Sequence, residues 1–427
     1  MHIDLNDWFY HIKQLHDQRT ELNLNRVKSV AKRLQLEHFD CPVITVAGTN
    51  GKGSVVKTLE SIYFQAGFKV ALYTSPHLME FNERIRIHNQ TISDTQLIRA
   101  FEIIDNARQE TILSFFEFIT LSALFLFQEA QCDVVILEVG LGGRLDTVNI
   151  VDSDVSVITS IGLDHTAMLG NTREEIAYEK ACVARENKLL ICGEENPPDT
   201  IAQTADAKKA VLFQINLDFF YSVSNYYFRC YGKQFDYTKL PIPHLKPQNC
   251  ATAIAVIESL QHALPISSHH IAKGIAQTQW PGRFEMISSV IPCVLDVAHN
   301  ESAAHWLLQQ YRTLPPVQNT IGIVGMLKDK AMIETVSVLL LCVNTWYVCD
   351  LSRDTERGAD GSVIAAFLQS KGQVCQTFAS VSDAMYSLGL AHHSHDDDRA
   401  LIFGSFYTVA AAKRWILEKE KKSWKKK

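Results

Sequence analysis

The sequence predicts an α/β protein of two domains, the first built on a largely parallel sheet and the second a smaller α/β domain. Three observations carry this prediction. Short apolar runs alternate with helical patterns from residue 43 onward. One of those runs, VITVA, passes through a glycine turn into a helix. The alternation breaks at WPGRFE, residues 280–285, and then resumes. A chain of 427 residues also exceeds the about 100–200 residues that a single domain usually organises.

The elements follow in order. VITVA (43–47) is a strand, a helix is expected to open near Ser54, and KVALYT (69–74) is the next strand. Two helical stretches, about 94–109 and 115–129, precede the strands DVVILEV (133–139) and VSVITSI (155–161). TREEIAYEKACVA (172–184) reads as a helix, with Thr172 as cap and Glu175 completing a capping box. Residues 211–240 are less regular, with aromatic, antiparallel-looking segments such as FYSVSNYYFRC, and helical patterns return near 248–261 and 268–278. Pro281 and Gly282 then end the helical run. After IPCVLDVAHN come strands at IGIVG, WYVCD, GQVCQ and ALIFG. The expected domains are therefore 1–282 and 283–427.

Composition narrows the partners. With 47% apolar and 21% charged residues the chain is an ordinary globular protein, not a disordered one. A net charge of −6, from 41 Lys+Arg against 47 Asp+Glu, offers no field for a nucleic-acid backbone, and no nucleic-acid partner is expected. Runs such as ITLSALFLF fall short of the roughly 18 apolar residues of a membrane span, and the N-terminus lacks the order of a secretory signal. The ten cysteines form no CxxC pair and suit the reduced interior of a cytoplasmic protein. The tail KEKKSWKKK reads as a solvated helix end or a weak anionic contact. His392, His393 and His395, beside three aspartates, read as a polar turn or a metal site, and their spacing fixes neither.

The chemistry should lie at the strands' carboxyl ends. A strand running through Gly48, Gly51 and Gly53 into a helix presents backbone N–H groups to an anion, and Lys52 can reach the β and γ phosphates. The usual loop places Ser or Thr directly after the lysine, whereas here Gly53 intervenes before Ser54. Ser75, in YTSPHL, is a magnesium ligand, a pocket hydroxyl or a proline-associated cap. Glu138, beside a glycine turn, suits Mg²⁺ or an ordinary cap. His165 follows the fourth strand as a structural histidine or a nitrogen ligand, and Lys180 as a snorkelling lysine or a functional one. A phosphate loop alone leaves transport, switching, phosphorylation and ligation open.

The blocks AGTNGKGSV, YTSPHL with NERIRI, FFEFITLSALFLF, EVGLGGRLDTVNI, TSIGLDHTAMLG, EKA, PGRFE, DVAHN and GSFYTVAA span residues 47–411 in order. Together they resemble the folylpolyglutamate synthases, and among them the bacterial bifunctional dihydrofolate synthase/folylpolyglutamate synthases. The resemblance implies a Mur-ligase-like fold: a P-loop N-terminal domain with a mainly parallel sheet and a smaller Rossmann-like C-terminal α/β domain. It implies that Gly48, Thr49, Asn50, Gly51, Lys52, Gly53 and Ser54 form the phosphate loop, and that Asn249, Arg283, Asp296 and His299 also contact nucleotide or phosphate. Ser54, Ser75, Glu138 and His165 would hold Mg²⁺, or Mn²⁺, joined by Lys180 if carbamylated. Ser75, Pro76, His77, Arg84 and Ser405 would line the substrates. The family often has DGAHN where this chain has DVAHN, so Val297 alters the turn and leaves Asp296 and His299 in place.

By this resemblance the reaction uses ATP to convert a carboxylate of dihydropteroate or a reduced folate into an acyl phosphate, which the amine of L-glutamate then attacks. Lys52, His165 and Lys180 are the expected catalytic set, and closure of the two domains would keep water from the acyl phosphate. A monomer is the family default. Three other readings remain: a ligase restricted to polyglutamate extension, a Mur-like ligase acting on a UDP-linked peptide, and a nucleotide-binding regulator without ligase activity.

Overall fold

The computed structural model describes residues 4–15, 23–289, 291–391 and 397–424, with side chains described as far as residue 419. His392, His393 and His395 lie outside the described residues, as do the side chains of the basic tail from residue 420. Chain contacts divide the protein after Gln279 into two units.

The first unit is built on eight strands: β1 (Val43–Ala47), β2 (Val70–Tyr73), β3 (Ile85–Ile87), β4 (Gln90–Thr91), β5 (Val134–Glu138), β6 (Val155–Ile158), β7 (Leu189–Cys192) and β8 (Val211–Gln214). Their order is β4-β3-β2-β5-β1-β6-β7-β8. The strands from β2 through β8 in that order are parallel, and β3 and β4 add an antiparallel edge.

Every residue of β1 is buried because helices cover both faces. Val43 and Ala47 join a core containing Phe101, Phe118 and Phe127. Ile44 and Val46 join the opposite core with Val56, Ile62 and Ile254. A strand wrapped on both sides reads as an unbroken apolar run, which is why VITVA has no polar alternation. The helix Phe115–Ala130 is apolar all round for the same reason, and its start is fixed by the reciprocal Ser114/Glu117 capping box. Two helices the sequence reading did not anticipate, Leu5–Leu15 and Asn25–Arg33, add Trp8, Ile12, Val27 and Val30 to the first core. The irregular region resolves into a small antiparallel sheet of β9 (Phe219–Val223), β10 (Phe228–Gly232) and β11 (Asp236–Leu240).

This topology builds the site. Parallel strands end on one edge of the sheet, so the order β2-β5-β1-β6-β7 sets their exit loops side by side. Thr74 and Ser75 come next to Glu138, then the glycine turn after β1, then Thr159 and Ser160, then Gly193.

The second unit carries β12 (Glu285–Ile287), β13 (Cys293–Leu295), β14 (Asn319–Val324), β15 (Thr345–Cys349), β16 (Val374–Phe378) and β17 (Asp398–Phe403), in the order β12-β13-β17-β14-β15-β16. All its pairings are parallel except β12 with β13. Trp346, Phe403, Leu307 and Leu368 lie in its core. All ten cysteines are free thiols. Among the described residues no helix is long and apolar enough to cross a membrane.

Candidate active site

The helix after β1 runs Lys52–Gln65, opening two residues before the expected Ser54. Gly51 is its N-cap, at φ 91°. A Cβ on Gly51 would lie 2.6 Å from Asn249 Oδ1, so the loop packs directly against the buried amide of Asn249 on the helix Pro247–Ser259. Gly48 approaches the residue after β6 more closely still, since a Cβ there would meet Thr159 Oγ1 at 1.9 Å.

The turn after β6 laces this loop into place. Thr49 N donates to Ser160 O at 2.8 Å. Asn50 N donates to Ser160 Oγ at 3.0 Å, and Asn50 O accepts from Thr159 Oγ1 at 2.7 Å and Ser160 Oγ at 2.9 Å. Thr49 Oγ1 donates to Gly162 O at 3.1 Å. Lys52 Nζ curls over the loop and donates to Gly48 O at 2.9 Å and Thr49 O at 3.3 Å. The result is a strand-to-helix turn braced by Thr159 and Ser160 with one ammonium folded over it, at a helix N-terminus of the kind that favours an anion. Ser54 is buried on the first helical turn.

Beside it, Glu138 ends β5 at 4% exposure. Its Oε2 accepts from Ser75 N at 3.2 Å and from the Thr74 hydroxyl. A buried carboxylate at a strand end is no surface ion pair. His165 sits at φ 51° and opens a short helical turn. Its N–H donates to Asp164 Oδ1 at 2.9 Å, and its ring Nε2 lies 3.9 Å from Asp164 Oδ2.

The carboxylate of Glu138, the hydroxyls of Ser54 and Ser75 and the imidazole of His165 are donors of the kind that suit Mg²⁺ or Mn²⁺. Among the described residues no cluster of three or more His, Cys, Asp or Glu could hold an ion alone.

Lys180 is buried at 5% exposure on the helix Arg173–Ala181, whose Thr172/Glu175 capping box is the one the sequence predicted. Burial, reinforced by the charge of Lys52, pushes its ammonium down to about 7, against the opposing pull of Asp164 and Asp146. Asp146 was not among the expected site residues. Burial pushes its carboxyl up to about 6, against hydrogen bonds from backbone N–H groups and the charge of Lys52. It accepts from Leu141 N at 2.8 Å and Val148 N at 3.1 Å. Thr159 and Ser160 were missed as well. The available signal was only TSIG and GGRLD at strand exits, and strand order was needed to bring those exits to Lys52.

Between β2 and β3, Arg84 Nε donates to His77 Nδ1 at 3.0 Å, and its guanidinium lies 5.1 Å from the centre of the Phe81 ring. Phe81 in turn packs on Phe9 and Phe115. Pro76 follows Ser75 in this loop through a cis peptide.

In the second unit, buried Asp296 accepts from Phe284 N and Ala298 N, each at 2.8 Å. Burial raises its carboxyl above the ordinary value, opposed by Arg283. Arg283 lies over the Phe406 ring at 5.1 Å. His299 Nδ1 pairs with Val297 O at 2.8 Å. Buried Ser405 is engaged with Thr408, accepting its backbone N–H at 3.0 Å as a helix cap.

Two α/β units, the first with a glycine turn that carries a strand into a helix at the sheet's carboxyl edge, have the fold of a nucleotide-dependent ligase of the Mur type. Family models agree: the Mur ligase middle domain matches residues 46–242 and the Mur ligase glutamate ligase domain matches 282–406. The dihydrofolate synthase/folylpolyglutamate synthase of Escherichia coli K12 is 41% identical over 406 residues, covering 95% of this chain and 94% of that protein. The structure of E. coli FolC in complex with DHPP and ADP superposes with a TM-score of 0.92 at 40% identity, covering 98% of each chain. A bifunctional folylpolyglutamate synthase/dihydrofolate synthase with Mn, AMPPNP and L-glutamate bound gives 0.90 at 39%, covering 96% of this chain and 97% of that one. The chain belongs to the dihydrofolate synthase/folylpolyglutamate synthase family.

Proposed function

We infer that this chain is an ATP-dependent acid–amino-acid ligase that adds L-glutamate to dihydropteroate, forming dihydrofolate, and to the γ-carboxylate of tetrahydrofolate and its polyglutamates. ADP and inorganic phosphate are the other products. The observation that carries the reading is the phosphate cradle headed by Lys52, set by strand order beside Glu138 and Ser75.

In the mechanism we propose, the loop Gly48–Ser54 and Asn249 hold the nucleotide, and Arg283, Asp296 and His299 are further nucleotide contacts. The acceptor's carboxylate attacks the γ-phosphorus in line, and Lys52 swings from its loop carbonyls to the charge spread over the phosphoryl oxygens. Magnesium held by Ser54, Ser75, Glu138 and His165 supplies neutralisation of that same charge when bound. The amine of glutamate then attacks the acyl phosphate, and phosphate leaves as the amide forms. Ser75, Pro76, His77 and Arg84 are assigned to the acceptor and Ser405 to the glutamate side.

Lys180 is assigned as a carbamylation site. A lysine brought down to about 7 presents a neutral amine at physiological pH, the form that adds CO₂. The product is an anion, which would act as a further magnesium ligand. Ten free thiols support a reducing, cytoplasmic setting.

The test is a paired assay of ATP-dependent glutamate incorporation into dihydropteroate and into tetrahydrofolate. Incorporation into both is expected. Activity with tetrahydrofolate alone would restrict the enzyme to tail extension, and turnover with neither acceptor would reject the reading.

A further inference from the structure

The loop that joins β2 to β3 carries Ser75, His77 and Arg84, yet its shape is set by a residue not so far assigned. Thr74 N donates to Arg84 O at 2.9 Å, closing residues 75–83 into a compact excursion. Inside it, one carboxylate satisfies three successive backbone donors. Glu83 accepts from Leu78 N at 2.7 Å, Met79 N at 2.9 Å and Glu80 N at 2.8 Å, using both oxygens. Asn82 ties the same turn outward, to Ile92 O at 3.0 Å and Asp94 Oδ1 at 2.8 Å. Charge-assisted bonds to consecutive N–H groups are stronger than neutral ones and fix the path of the chain.

We propose that Glu83 is a positioning residue for the acceptor: its carboxylate gathers the 78–80 backbone and thereby sets the His77–Arg84 pair. That pair is sensitive to the path of the loop because Arg84 Nε must meet His77 Nδ1 at 3.0 Å across a seven-residue separation. It also fixes the imidazole tautomer, since an accepting Nδ1 leaves the proton on Nε2. The Phe81 ring beneath Arg84 belongs to the same turn, so loss of the carboxylate loosens the guanidinium's platform as well. The nucleotide cradle shares none of these bonds. Its own supports are Thr159, Ser160 and Asn249. Glu83 therefore acts first on acceptor binding, because its bonds lie at residues 78–80, whereas Ser75, the loop's link to the magnesium position, is held separately by Glu138 at 3.2 Å.

The inference rests on the assignment of His77 and Arg84 to the acceptor, and the test separates the two. Wild-type enzyme is first assayed for glutamate incorporation into dihydropteroate and into tetrahydrofolate; turnover with neither rejects the ligase reading itself. Glu83→Gln and Glu83→Ala are then compared with wild type by thermal melting and by varying dihydropteroate, ATP and glutamate in turn. An amide keeps the shape but offers one acceptor oxygen in place of two. The expected result for Glu83→Gln is a KM for dihydropteroate raised about tenfold, the size of one lost charge-assisted bond, with KM for ATP within about twofold. Glu83→Ala should exceed that effect. Equal rises in KM for ATP and dihydropteroate, an unchanged KM for dihydropteroate, or failure of both variants to fold would each overturn the proposal.

Discussion

Lys180 shows at the scale of one residue how burial prepares chemistry. Its ordinary value is 10.5 and its folded value about 7. Between those values the unfolded chain holds a proton that the folded chain does not, so this residue makes stability rise with pH across that window. Below about 7 both states are charged and the folded state carries the full penalty of a buried ammonium. Lys180→Met, of similar shape and without charge, should therefore melt above wild type in CO₂-free buffer at pH 7 and below. The gain should narrow toward pH 10.5, the ordinary lysine value, and ligase turnover should be lost. Melting curves across pH decide this, and a methionine variant less stable than wild type at pH 7 would sink it. The sequence showed Lys180 between Glu179 and Ala181 but not its neighbours in space. Burial does most to lower it, and two of the charges that act on it, Lys52 and Asp146, stand far away in the chain and meet it only through the strand order.

At the scale of an element, the helix Lys52–Gln65 is bounded by two glycines with left-handed φ, Gly51 at 91° and Gly67 at 88°. Their surroundings differ. A Cβ at Gly51 would strike Asn249 at 2.6 Å, whereas one at Gly67 would meet nothing within 4 Å. Gly67→Ala should thus cost about 1 kcal/mol of stability through backbone strain alone and leave nucleotide binding unchanged. Gly51→Ala carries the same strain and also displaces the Asn249 amide, so its ADP affinity should fall about tenfold or more. Calorimetric titration with ADP beside melting curves tests the pair, and equal behaviour of the two variants would show that the Gly51–Asn249 contact does not matter. Such elements were readable where periodicity and caps are local, as with the Thr172/Glu175 box and the parallel strands. The helices before residue 34 went unread because their apolar residues answer to a core completed by Phe101 and Phe127, far along the chain. The hairpin of β3 and β4 was missed because strands of three and two residues are too short to show a period.

At the scale of the whole molecule, the net charge of −6 is set against three anionic substrates, ATP, a folate carboxylate and glutamate. Long-range attraction cannot gather them, so individual cations must, and the assigned ones fall in both units: Lys52 and Arg84 in the first, Arg283 in the second. This division makes a prediction that fold alone does not. Arg283 lies against the Phe406 ring, and its charge restrains the rise of the buried Asp296 carboxyl, all within the second unit. Arg283→Ala should leave dihydropteroate binding within about twofold of wild type, because the acceptor contacts assigned here belong to residues 75–84. Turnover should nevertheless fall by about 10²-fold or more, the usual size of losing one charge aimed at a phosphoryl group. Fluorescence titration with dihydropteroate and glutamate incorporation measure the two halves separately. Near-normal turnover would remove Arg283 from the nucleotide contacts. A parallel loss of dihydropteroate affinity would mean that the second unit also takes part in acceptor binding, against the assignment made from the first unit's loop.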